Sequence, residues 1–155
     1  EFRGKYVVLE WINHGCPFVK KQYGSGNVPA LQKKYTEKDV VWLTICSSAK
    51  GKQGHLTGPE AAEQLKHRDA APSRFLLDPK GTAGKAYGAK TTPHMFVVDP
   101  KGVLLYDGAI DDKPSTRRED VGTAKNYVVA ALDAAMAGKP VETSRTQPYG
   151  CSVKY

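Results

Sequence analysis

No apolar run in this sequence approaches the ~20 residues that a helix needs to cross a bilayer. The longest, such as Tyr6-Val7-Val8-Leu9, are strand-sized, so the sequence reads against a helical membrane span. No secretory signal opens the chain, because Glu1-Phe2-Arg3-Gly4-Lys5 leads straight into a strand. The expectation is a cytoplasmic protein, or an exported one whose signal has been removed. Cysteine is scarce. Cys16, Cys46 and Cys151 are an odd set of three, which argues against a pure disulfide scaffold. There is no CxxC and no zinc-ligand spacing. The basic residues are not gathered on one element with interleaved aromatics, as a nucleic-acid binder would have them. Internal repeats and a second domain are also missing.

What remains is ordinary globular material. The 155 residues fit one domain with one good core, at 40% hydrophobic and 25% charged residues. The net charge of +7 is dispersed over Lys20-Lys21, Lys33-Lys34, Arg117-Arg118 and lysines at turns. It implies solubility and a mild preference for anionic partners.

Lys5 to Ile12 is rich in β-branched and aromatic residues and predicts a buried strand. Asn13-His14-Gly15 breaks it, and Pro17 suits the first turn of a helix, where its missing N–H is no loss. That helix runs through Tyr23. Gly24 to Asn27 interrupts it, and Val28 to Tyr35 resumes with one apolar face. Asp39 to Cys46 predicts a second buried strand and Ser47 to Gly58 a loop. Pro59 to Arg68 predicts a helix, Arg74 to Leu77 a third strand and Thr82 to Tyr87 a short helix. His94 to Val98 and Val103 to Tyr106 form a hairpin around Asp99-Pro100-Lys101-Gly102. Asp111 to Asp120 reads as loop, Ala124 to Met136 as an amphipathic helix ended by Gly138-Lys139-Pro140, and the last fifteen residues as irregular. The order β-α-β-α-β-α-β-β-α gives a mixed, three-layer α/β sheet.

Chemistry concentrates at the first strand–helix junction. Cys16 directly precedes Pro17, at a helix N-terminus whose unpaired N–H groups and positive dipole end favour thiolate over thiol. His14, Lys20 and Lys21 are cations close in sequence that would add to the effect. Thiolate is the nucleophile, so this is where a redox cysteine belongs. The plainer reading is a small buried apolar residue. Gly15 and Pro17, which make a turn there, count against it. Thr92-Pro93 is the second signal: it enters the fourth strand, which returns beside the first. Pro93 reads either as a cis proline or as an ordinary trans proline at a strand start.

Trp11-Ile12-Asn13-His14-Gly15-Cys16-Pro17, with Thr92-Pro93 and the Asp99 to Gly102 hairpin, resembles the thioredoxin superfamily, in particular its redoxin branch of peroxiredoxin-like (alkyl hydroperoxide reductase/thiol-specific antioxidant) proteins. The resemblance implies a thioredoxin-like fold with a mixed sheet of about five strands flanked by helices. It implies a redoxin domain over residues 1–137 and an irregular tail, 138–155, carrying Cys151. It makes Cys16 the nucleophile and Pro93 a cis proline beside it, with His94 near the thiol. The branch is often exported in bacteria, which would place such a protein in the periplasm. Two positions depart from the pattern. Val19 stands where a thioredoxin-type motif has its second cysteine, and Asn13 stands where peroxiredoxins have a threonine. The family's assisting arginine has no secure match; Arg74, at the start of strand three, is a candidate whose plain reading is a solvated strand-end charge.

Cys151 lies in Pro148-Tyr149-Gly150-Cys151-Ser152, a turn-rich segment able to bring a resolving thiol to a sulfenic acid on Cys16; the alternative is a free or packed tail cysteine. Cys46 ends strand two and reads as a buried bystander. His14, Cys16 and His94 could also form a soft metal site, for copper above all, but the thioredoxin-fold copper chaperones use two cysteines close in sequence plus a histidine, a pattern missing here, so no metal is expected. His55 and His67 sit in polar contexts and read as solvated. The expected function is a thiol oxidoreductase without a bound cofactor. Its partners would be a peroxide or disulfide substrate and an external thiol reductant such as a thioredoxin. The alternative is a thioredoxin-fold binding module without catalysis.

Overall fold

The computed structural model describes residues 1–155. Its centre is a five-stranded sheet in the order β3-β2-β1-β5-β6. β1 (Val7–Trp11) pairs in parallel with β2 (Val41–Cys46), and β2 with β3 (Arg74–Leu77). On its other side β1 runs antiparallel to β5 (His94–Val98), which forms the hairpin with β6 (Leu104–Gly108). β1 and β2 are buried along their whole length, which is why their sequences read as near-continuous apolar runs rather than alternating ones.

Alternation reappears in how the two faces are shared. Val8, Ile12, Trp42, Met95, Val97 and Tyr106 belong to the larger core cluster, with Val19 and Tyr23 of α1 (Pro17–Gly24), Leu31 and Tyr35 of α2 (Asn27–Thr36) and Val128 and Leu132 of α5 (Tyr127–Met136). Val7, Leu9, Trp11, Val41, Leu43, Ile45 and Phe96 form the second cluster on the opposite face, where Ala83 of α4 (Thr82–Tyr87) packs. α3 (Gly58–His67) opens with a capping box, Thr57 with Glu60.

Three details differ from the sequence reading. α5 begins at Tyr127 rather than Ala124, because the Asn126 side chain caps it by accepting the Val129 N–H at 3.0 Å. A 3₁₀ segment, Arg118–Thr123, begins inside the stretch Asp111 to Asp120 that reads as loop. The last fifteen residues also contain regular pairing. Cys151–Ser152 (β7) lies antiparallel to Thr91–Thr92 (β4), with Thr92 opposite Cys151. A two-residue ladder is too short to leave a periodic signal in sequence.

Candidate active site

Cys16 is the N-cap of α1, and its carbonyl accepts the Lys20 N–H at 2.9 Å. The turn before it is fixed by Asn13, whose carbonyl accepts the Cys16 N–H at 3.0 Å and whose Oδ1 accepts the Gly15 N–H at 2.8 Å. The Asn13 amide also donates to the Gln53 carbonyl. Through these bonds Asn13 holds the strand–helix junction in place. Pro17 occupies the first helical position, as expected.

The Thr92–Pro93 peptide bond is cis. The Thr92 carbonyl lies 3.1 Å from the Cys16 sulfur, so the thiol is enclosed from the sheet side. From the other side comes β7: the Cys151 sulfur lies 2.7 Å from that of Cys16. Cys16 has no exposed surface, and Cys151 is half-buried. Burial pushes the Cys16 thiol pKa up. The Cys151 thiol, the Thr92 side chain and the Val19 backbone amide in the first turn of α1 push it down, and the net direction is down. Cys151 moves the other way, up to about 11, through burial and the neighbouring Cys16. The pair therefore splits into a thiolate-prone sulfur at the helix end and a proton-holding sulfur facing it.

Gly150 makes this approach possible. Its φ of 141° and its position leave no room for a side chain, since a Cβ there would stand 2.1 Å from the Thr92 carbonyl oxygen. Tyr149 anchors the same segment: its hydroxyl donates to Asp111, which also accepts from the Gln22 amide, and its ring meets Phe18 and the Lys21 ammonium. Further back, the Asp107 carboxylate accepts from the Arg145 guanidinium at 2.9 Å. Its backbone N–H donates to the Ser144 carbonyl, and its carbonyl accepts from the Thr146 N–H.

Several expected neighbours stand elsewhere. His94 follows Pro93, but its ring stacks on Phe96, which belongs to the core cluster on the face opposite that of Cys16. Its Nδ1 accepts the Lys90 N–H and its Nε2 meets Asp107 at 2.8 Å, so the imidazole is turned away from the thiol by strand alternation. His14, Cys16 and His94 accordingly do not converge as a metal site. His14 is buried and stacked on Phe75, and neither ring nitrogen has a hydrogen-bond partner. Burial, then the Arg68 charge, lowers its pKa to about 4, so it gives Cys16 no positive charge at neutral pH. Lys21 donates to the Lys113 carbonyl. Arg74 is exposed on β3, the edge strand, where it bonds the neighbouring Ser73 carbonyl. Cys46 is buried and donates to the Gly54 carbonyl, apart from the other two sulfurs.

Two residues have roles that sequence reasoning missed. Arg68, at the end of α3, lies over the Tyr23 ring and donates to the His14 carbonyl at 2.9 Å, bracing the loop before Cys16. Glu10 is fully buried on β1. It accepts hydrogen bonds from Trp42, Tyr23, Thr44 and Gln32, and burial raises its pKa. A single acidic residue inside the apolar run from Tyr6 to Ile12 was the available signal for Glu10.

The Redoxin family model matches residues 1–127, most of the chain. The chain belongs to the redoxin family. This membership supports a thiol-based redox role on a thioredoxin fold. No curated protein matches the sequence. Among solved structures, an uncharacterized conserved protein from Geobacillus kaustophilus superposes with a TM-score of 0.82 at 25% identity, covering 99% of this chain and 79% of its own. A hypothetical protein from Sinorhizobium meliloti does so with a TM-score of 0.78 at 25% identity, covering 98% and 80%. The exposed lipoprotein thioredoxin of Streptococcus pneumoniae, at 20% identity, TM-score 0.53 and coverage of 79% and 84%, shares the fold.

Proposed function

We propose that this redoxin is a thiol oxidoreductase in which Cys16 is the nucleophile and Cys151 the resolving cysteine. The observation that carries the reading is the 2.7 Å approach of the two sulfurs, with their pKa values pushed in opposite directions. A peroxide ROOH would be attacked by the Cys16 thiolate, leaving Cys16 sulfenic acid and, after protonation, ROH. The Cys151 thiol would then condense with the sulfenic acid, forming the S–S bond and releasing water. A disulfide substrate enters the same cycle: Cys16 forms the mixed disulfide and expels one thiol, and Cys151 displaces the second. Both routes end in a Cys16–Cys151 disulfide that an external dithiol such as a thioredoxin reduces, with no bound cofactor. In this reading residues 1–137 form the redoxin domain and 138–155 an extension that delivers Cys151.

Mass spectrometry of the reduced protein after one equivalent of hydrogen peroxide, or one of a small aliphatic disulfide, tests this. The expected product in the wild type and in Cys46→Ser is the Cys16–Cys151 bond, and the faster oxidant identifies the substrate class. Cys16→Ser should form no such product and turn over no oxidant; full turnover by that variant would sink the proposal. The complete burial of Cys16 favours a second reading, a binding module without catalysis. Alkylation of Cys16 with a midpoint near the free-cysteine pKa of ~8.5 would support that module, and a clearly lower midpoint the enzyme.

A further inference from the structure

A cavity of about 740 Å³ with a cationic wall lies between α1, α2 and the end of α3, and neither Cys16 nor Cys151 lines it. We propose that this cavity binds a small phosphate-bearing anion. Four permanent cations reach it from four separate elements: Lys20 from α1, Lys33 from α2, Arg68 from the end of α3 and Arg118 from the 3₁₀ segment. Asp69 is the only carboxylate in its wall. It pairs with Lys33 at 2.7 Å, but both side chains are largely exposed, so water weakens that pair. Lys20, Arg68 and Arg118 form no ion pair with any carboxylate of the chain. Four like charges converging on one carboxylate focus a field that a mobile anion would relieve.

The floor of the cavity carries no opposing charge. Gly24, Ser25 and Gly26 lead into α2, whose N-cap is Gly26 and whose first turn holds no acidic residue; the Ser25 hydroxyl accepts the Asn27 N–H at 3.4 Å. Gly24 is part of the construction. A Cβ there would lie 2.5 Å from a nitrogen of the Arg118 guanidinium, so glycine lets that group fold over the cavity. The Arg118 guanidinium can take paired oxygens of a phosphate in bidentate fashion, while Arg68, whose guanidinium already donates to the His14 carbonyl, adds positive charge. The volume lies in the range of small-molecule sites, roughly 300–1,000 Å³. It exceeds a bare phosphate, and Pro29 and Ala30 offer apolar wall for the rest of such a molecule.

Isothermal titration and thermal unfolding of the full chain at low salt test this, with inorganic phosphate, pyrophosphate and ATP as probes against chloride of equal ionic strength. Pyrophosphate and ATP should bind and raise the melting temperature. Added salt should weaken them through screening. Arg118→Ala should weaken pyrophosphate binding at least tenfold. Lys20→Ala, an exposed helical position, provides a second variant whose fold is not at risk and should weaken it several-fold. No stabilisation beyond that of chloride, or undiminished binding by Lys20→Ala, overturns the proposal.

Discussion

At the scale of single residues, the two sulfurs depend on small and neutral neighbours as much as on charged ones. Gly150→Ala would force a Cβ into the Thr92 carbonyl at a backbone angle that L-residues avoid. Overpacking of this kind costs about 1–3 kcal/mol. The local outcome is retreat of Cys151 from Cys16. Disulfide formation after peroxide should therefore slow about tenfold or more, and sulfenic acid on Cys16 should become trappable by dimedone. An unchanged rate would mean that β7 docking does not set the approach of the thiols. His14 yields a pH prediction. Its folded pKa, about 4, lies below the unfolded value, so the unfolded chain binds the extra proton between them. Stability associated with His14 is thus complete above ~6.5 and is lost as pH falls towards 4, by at most about 3 kcal/mol. Denaturant titrations of the wild type and His14→Phe at pH 7 and pH 4.5 should differ in this sense, the variant losing less stability on acidification.

At the scale of elements, the junction between β1 and α1 was legible because its signals are local: a strand run, a Gly-Cys-Pro turn and a helix start. The five strands and their hairpin were legible for the same reason. The placement of His94 was not. Proximity in sequence to Pro93 says nothing about which face of β5 the side chain takes, and alternation sent it towards Asp107. The pairing of β7 with β4 was also hidden, because its partners lie far apart in the chain and the ladder is two residues long. Asp107 clamps residues 144 to 146 and so sets where the last segment begins. Asp107→Ala should loosen that segment without touching the core of β1. Its expected signature is faster hydrogen exchange at Thr146 and Cys151, with the amides of Leu9 and Leu43 unchanged. Equal protection throughout would remove the clamp from the account.

At the scale of the whole molecule, the sheet order explains why a reactive thiol can be both enclosed and reachable. β1 is central, packed between β2 and β5 with a core cluster on each face, so the end of the strand is held rigidly. The closing piece is supplied by residues remote in sequence, through hydrogen bonds to Thr92, Asp107 and Asp111 and through Tyr149, Cys151 and Val153, which pack against the edges of the two clusters. The dispersed charge, read in sequence as a solubility feature, acquires local structure at the α1–α2 cavity, where folding gathers cations that are remote in sequence.

Cys16 and Cys151 are 135 positions apart. Oxidation would therefore close residues 16–151 into one covalent ring. A cross-link closing a ring of that size restricts the unfolded chain by about 4–5 kcal/mol in the chain-entropy treatment. Thermodynamic reciprocity then ties folding to electron transfer: whatever stabilises the folded chain in its oxidised form makes the bond correspondingly harder to reduce, at about 30 mV per 1.4 kcal/mol. The oxidised protein should melt several degrees above the reduced one, and the difference should vanish in Cys151→Ser. In that sense this domain would store part of each oxidation event as resistance to unfolding, and release it when a reductant reopens the ring.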